Sequence, residues 1–173
     1  MDQSAIRTRP VKGGKKEGEY TMNADTTDFF ETLLFIADDP DAETKSVLFE
    51  GLTVNDFAPE FIEGVEKFIA AFRDHLKGVG FPVEKLDASE RSFGGNVYLS
   101  LSGHGAGFFD DRDPDIAGLH EIIKAWAGSF RFEELEYHLK VNGDGKIDLS
   151  FLPEYIEEQR EKLFAVPATA KGE

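Results

Sequence analysis

The stretch Val97-Tyr98-Leu99-Ser100-Leu101-Ser102-Gly103-His104-Gly105-Ala106-Gly107-Phe108-Phe109-Asp110-Asp111 changes character at its midpoint. Through Ser102 it alternates: Val97, Leu99 and Leu101 fall on one side, and Tyr98, Ser100 and Ser102 on the other. Period-two alternation predicts a half-buried strand. Three glycines in the next five residues then predict a turn or bulge, with one or more of Gly103, Gly105 and Gly107 at positive φ and His104 at its tip. Phe108-Phe109 resumes the apolar pattern and predicts a second pairing strand.

Working outward, Asn142-Gly143-Asp144-Gly145 separates two further apolar segments, Glu134 to Val141 and Lys146 to Phe151, and carries strong hairpin chemistry. An EF-hand reading fails. With Gly145 at the loop's required glycine, Lys140 and Phe151 occupy positions that need oxygen ligands. Helices are predicted around this sheet. The first runs from about Asp28 to Ala37, with Asp28 as cap and Glu31 at capping-box spacing, and ends at Asp38-Asp39-Pro40-Asp41. The second runs from Pro59 to Lys77. Its Ile62, Val65, Ile69, Phe72 and Leu76 follow helical spacing, and Gly78 and Gly80 stop it. A third spans Pro114 to Ala127, and a fourth opens at Pro153 and reaches Phe164. Leu48 to Val54 reads as a strand or packed coil. The expected fold is therefore α+β: a small antiparallel sheet of three to four strands packed by amphipathic helices. Phe68, Ile69, Phe72, Leu99, Leu101, Ile123 and Trp126 are the expected core.

The chain has 173 residues, 40% hydrophobic and 12% aromatic, which suits one domain with a substantial core. The expected organisation is a flexible basic tail at 1–21, an acidic domain at 22–164 and a frayed tail at 165–173, with Met22 a second candidate start. There are no cysteines, which removes disulfides, thiolate metal sites and a cysteine nucleophile. No apolar run has the length of a membrane span, and no signal-peptide centre stands near the N-terminus, so a cytoplasmic protein is expected. Net charge is −15, made up of +3 over residues 1–17 and −18 over the rest. Such a body repels nucleic acid and anionic lipid and attracts basic surfaces.

Three chemistries compete for the polar residues. Gly103, His104, Gly105 and Gly107 form a ligand or turn segment, but Phe108-Phe109-Asp110-Asp111 follows where a dinucleotide fingerprint needs a helix. His104 with Asp110, Asp111 and Asp113 forms the basis of a metal-dependent hydrolase reading, and Ser102 with His104 a nucleophile pair. No catalytic residue, metal ligand or cofactor is assigned: His75, His120 and His138 are scattered and none stands at helical spacing from His104, and the turn between Ser102 and His104 leaves the geometry of that pair open. Glu154, Glu157, Glu158 and Glu161 lie at i, i+3, i+4 and i+7 and share a helix face. Their density is about two charges per ~5.4 Å turn, against one per ~1.7 Å of duplex DNA. Mimicry of a phosphate backbone therefore needs the Asp110–Asp115 and Glu133–Glu136 carboxylates as well.

The segment order resembles that of a family of small, uncharacterised proteins from tailed-phage and plasmid genomes. The resemblance rests on Val54-Asn55-Asp56-Phe57-Ala58-Pro59-Glu60 opening a helix, on Gly103-His104-Gly105-Ala106-Gly107-Phe108-Phe109-Asp110, and on the closing Gly143-Asp144-Gly145-Lys146-Ile147 turn. It covers about residues 24–151. This chain has Phe109 where the family has Trp, lacks an Arg-Asn pair before the glycines and adds the acidic helix. The resemblance implies a phage-like origin and the α+β architecture, and transfers no catalytic residue. With it, the leading expectation is an anti-defence or host-takeover inhibitor. Asp110, Asp111, Asp113, Glu154, Glu157, Glu158 and Glu161 would then bind a basic, nucleic-acid-handling host protein, with no direct contact to nucleic acid or membrane. A non-catalytic accessory module holding a small ligand at the glycine turn is the third reading.

Overall fold

A computed structural model describes residues 22–37, 49, 51–87 and 93–168. The basic segment, the Asp38–Asp41 helix stop, Leu48 and the last five residues lie outside the described set. The described chain is mostly helical, with one two-stranded antiparallel sheet. In order it forms α1 (Ala24–Ala37), α2 (Pro59–Gly78), α3 (Glu84–Asp87), α4 (Phe93–Ser102), α5 (Pro114–Ala127), β1 (Leu139–Val141), β2 (Ile147–Leu149) and α6 (Ile156–Phe164).

Three elements form where local signals are strong. In α2, Pro59 opens the helix, and Phe61, Ile62, Val65, Phe68, Ile69, Phe72 and Leu76 make one buried stripe. In α5, the Asp113 side chain caps the Asp115 amide and Gly128 closes the helix at φ 87°. The hairpin pairs Leu139 with Leu149 and Val141 with Ile147, and Asn142 Oδ1 accepts from the amides of Asp144 and Lys146. β1 is shorter than expected, because Leu135–His138 forms a 3-10 turn before it. The first helix begins four residues before Asp28. Asn23 Oδ1 accepts the Thr26 amide at 2.9 Å, so Asn23 takes the capping role. Pro153–Tyr155 is a 3-10 turn, and α6 proper starts only at Ile156.

The largest correction falls on the alternating stretch. Residues 97–102 are the second half of α4, and Phe108–Asp110 is a 3-10 turn. Neither is a strand, and the sheet of the described residues has two strands rather than three or four. The physical cause is burial on almost every side. Gly94, Val97, Tyr98 and Leu101 form a helical stripe, and Ser100 and Ser102 on the other flank are also buried. Leu99 is only partly buried, as is Trp126, whereas Tyr98 is fully buried. A helix with no polar face loses its period of 3.6 and looks like anything short and apolar.

What puts α4 in the centre is Gly94. A Cβ there would sit 1.7 Å from the Asp25 carbonyl oxygen and 3.0 Å from the Phe29 amide. The backbones of α1 and α4 therefore touch, and only glycine permits that crossing. Arg73 of α2 locks it from the side, with Nε 2.6 Å and Nη2 3.1 Å from the Asp25 carboxylate and its guanidinium 4.5 Å over the Phe93 ring. Around the crossing lies an aromatic core. Phe29 meets Tyr98 and Phe132 edge-on at 5.4 Å, and Phe68 meets Phe132 and Trp126 at 5.2 Å. Such edge contacts add about 0.5–1.5 kcal/mol each beyond burial.

Candidate functional site

The glycine turn leaves the C-terminus of α4 and folds back on it. Gly103, Gly105 and Gly107 take φ of 82°, 69° and 119°, as the glycine density predicts, and His104 lies on the turn. Gly107 is held against α4: a Cβ there would fall 2.4 Å from Ser100 Oγ and 2.8 Å from the Ser100 amide. Ser100 Oγ accepts the Phe108 amide at 3.1 Å in a buried bond. Packing thus accounts for Gly107 without a ligand.

His104 faces neither the aspartates nor Ser102. Its Nε2 is 3.0 Å from Glu136 Oε1, while the buried Tyr98 hydroxyl donates to Glu136 Oε2 at 2.7 Å. Glu136 is thus a buried carboxylate joining α4, the glycine turn and the 3-10 turn before β1. Burial, and then the bond to Glu136, raises the Tyr98 pKa well above that of an ordinary tyrosine, so the phenol stays protonated and donates. Ser102 Oγ donates instead to the Leu99 carbonyl, back along its own helix. The opposing loop carries two non-glycine residues at positive φ, Phe130 at 62° and Glu134 at 58°. Between them Phe132 donates its amide to the Leu101 carbonyl at 3.0 Å, covering the end of α4. Glu136→Ala should cost about 2 kcal/mol, because it leaves the Tyr98 hydroxyl buried without its acceptor. In a denaturation cycle with Tyr98→Phe the two losses should not add; additive losses would show that the bond carries no stability.

The acidic residues occupy two places. Asp110 is exposed, Asp111 Oδ1 accepts the Asp113 amide, and Asp113 caps α5 with Lys85 alongside, 3.6 Å from its Oδ2. Lys85 also pairs with Asp115. His120 packs on the Phe109 ring at 5.1 Å beside this loop, and its burial lowers its pKa and favours the neutral ring. Glu154, Glu157, Glu158 and Glu161 are all exposed. Glu154 precedes α6, Glu157 pairs with Arg160, and Glu158 with Lys162 at 2.7 Å. The aspartates and the C-terminus of α6 stand at opposite ends of α5, a helix about 20 Å long. The aspartates lie at its N-terminus, whereas Arg131 ties its last carbonyl, Ala127 O, to the carbonyls of Lys162 and Ala165 at the far end of α6.

Sequence reasoning missed three groups. Glu136 sits in the acidic run 133–136 that reads as solvated, yet it is buried. Asp148 and Arg160 form a buried ion pair between β2 and α6. The only sequence signal for that pair is one arginine inside a row of glutamates. Among the described residues no three His, Asp or Glu side chains gather as a metal-binding group, and no helix is long and apolar enough to cross a membrane. Comparison with family models, curated proteins and solved structures finds no match to this chain.

Proposed function

We propose that this chain is a non-catalytic acidic binding protein, phage-encoded, that occupies a basic surface of a nucleic-acid-handling host defence protein as a partial mimic of DNA. The observation that supports this most is the exposure of all four glutamates, Glu157, Glu158 and Glu161 on α6 and Glu154 in the 3-10 turn that leads into it, on a body carrying −18 outside residues 1–17. Complementary charge speeds encounter and makes it salt-sensitive. His104 and Glu136, the best acid–base pair, are tied to each other and to Tyr98, which favours a binding role over the hydrolase reading.

The test is capture of a basic nucleic-acid enzyme from host extract, followed by assay of that enzyme with the protein bound. Capture should be released by salt, and the enzyme should be inhibited. Reversing Glu154 and Glu158 to lysine should lower the association rate about tenfold and flatten its salt dependence, with the unfolding midpoint unchanged because exposed charges add little stability. Unchanged association and inhibition in that variant would overturn the proposal.

A second reading, a module holding a small ligand at the glycine turn, is favoured by one observation. His104 keeps about a third of its side chain exposed (32%) while a buried carboxylate fixes its ring. It requires that His104→Ala abolish ligand binding while the protein stays folded.

A further inference from the structure

Between α2 and α6 runs an open groove of about 380 Å³. Glu60 and Glu63 line it from α2, Glu157 and Glu161 from α6, with Gly64, Phe164 and Ala165 as its apolar part. The missing side chain at Gly64 creates the close fit: a Cβ there would lie 2.7 Å from the Phe164 ring. The counter-charges are already engaged. Lys67 pairs with Glu63 at 2.7 Å, and Arg160 with Asp148 and Glu157. The Glu60 and Glu161 carboxylates make no hydrogen bond or ion pair to any described residue. Arg160 also lines the groove. It is nine-tenths buried, and its Nε–H has no acceptor among the described residues.

We infer that this groove is the docking site for an arginine-bearing peptide segment of the protein partner. The inference rests on the acidic-binding reading and gives it a location that the glutamate row alone does not, since half of the lining acids come from α2. Two complementarities select the occupant. Two unpaired carboxylates on facing helices call for a cation that spans them, and the planar five-donor guanidinium does this better than a lysine ammonium. The apolar strip of Gly64, Phe164 and Ala165 suits the methylene stem of such a side chain. Nucleic acid and anionic lipid offer none of the required positive charge.

The probes are blocked hexa-arginine and hexa-lysine peptides, titrated at low salt by calorimetry. The full chain should bind hexa-arginine more tightly than hexa-lysine. Glu60→Gln with Glu161→Gln should weaken hexa-arginine binding about tenfold. A control pair outside the groove, Glu84→Gln with Asp144→Asn, should change it by less than about twofold, and both variants should keep the parent unfolding midpoint. Equal weakening by the two pairs, or none by either, overturns the groove while leaving the general acidic surface standing. Absence of peptide binding by the parent chain also overturns it. The acidic-binding reading itself is decided separately, by the capture experiment and the reversal of Glu154 and Glu158.

Discussion

Gly94→Ala should lose about 3 kcal/mol or more of folding stability, at or beyond the upper end of ordinary overpacking. The added methyl would stand 1.7 Å from a main-chain carbonyl oxygen, that of Asp25. A flexible side chain could swing aside, but a backbone carbonyl inside α1 cannot move without separating the helices. Separation would also break the Phe29–Tyr98 ring contact and the Arg73 bridge from Asp25 to the Phe93 ring. Gly118→Ala is the internal contrast. Gly118 is exposed on α5, and its added Cβ would meet nothing within 4 Å. That substitution should stabilise by about 0.5–1 kcal/mol, because alanine gives up less backbone entropy in a helix. Urea denaturation of the two variants checks both signs. A cost below about 1 kcal/mol for Gly94→Ala would mean that α1 and α4 do not meet backbone to backbone.

Arg160→Ala should cost about 3–5 kcal/mol, the usual result of removing one partner from a buried ion pair. Asp148 is 7% exposed in the all-buried strand β2, and Arg160 is 8% exposed. After the substitution the Asp148 carboxylate keeps, among the described residues, only the Leu149 amide at 2.8 Å. The damage therefore comes from the stranded charge more than from the lost attraction. Asp148→Asn combined with Arg160→Met removes both charges while keeping volume, and should recover at least half of the loss. If the double variant is as unstable as Arg160→Ala, the arginine acts by packing and the ion pair is incidental.

How much of this could be read beforehand depends on how local each signal is. α2 is legible to within one residue, because a helix with one wet face shows its period in the sequence. α5 is legible because Asp113, Pro114 and Gly128 mark its ends. The 142–145 hairpin follows from its turn residues, and positive φ at the glycine turn follows from composition. α4 is not legible. Its Gly94-Gly95 reads as a breaker unless another backbone is known to lie against it, and its burial on almost every side erases the polar face that a helix pattern needs.

The candidate site divides along the same line. The exposed glutamates of α6 are visible in the sequence because their spacing is local, although their pairing with Lys162 and Arg160 refines which of them are available. Glu60 and Glu63 join them only because Gly64 admits Phe164 and brings α6 down on α2. Glu136 looks like its neighbours Glu133 and Glu134, and becomes a buried acceptor only once Tyr98 and His104 converge on it. The sequence by itself determines the negative charge, the amphipathic helices and the turn, since each depends on residues within a few positions of one another. The tertiary structure alone decides the α1–α4 crossing, the Tyr98–Glu136–His104 network and the α2–α6 groove. Each of these joins residues 35 or more positions apart in at least one contact, and local pattern carries no information about such contacts.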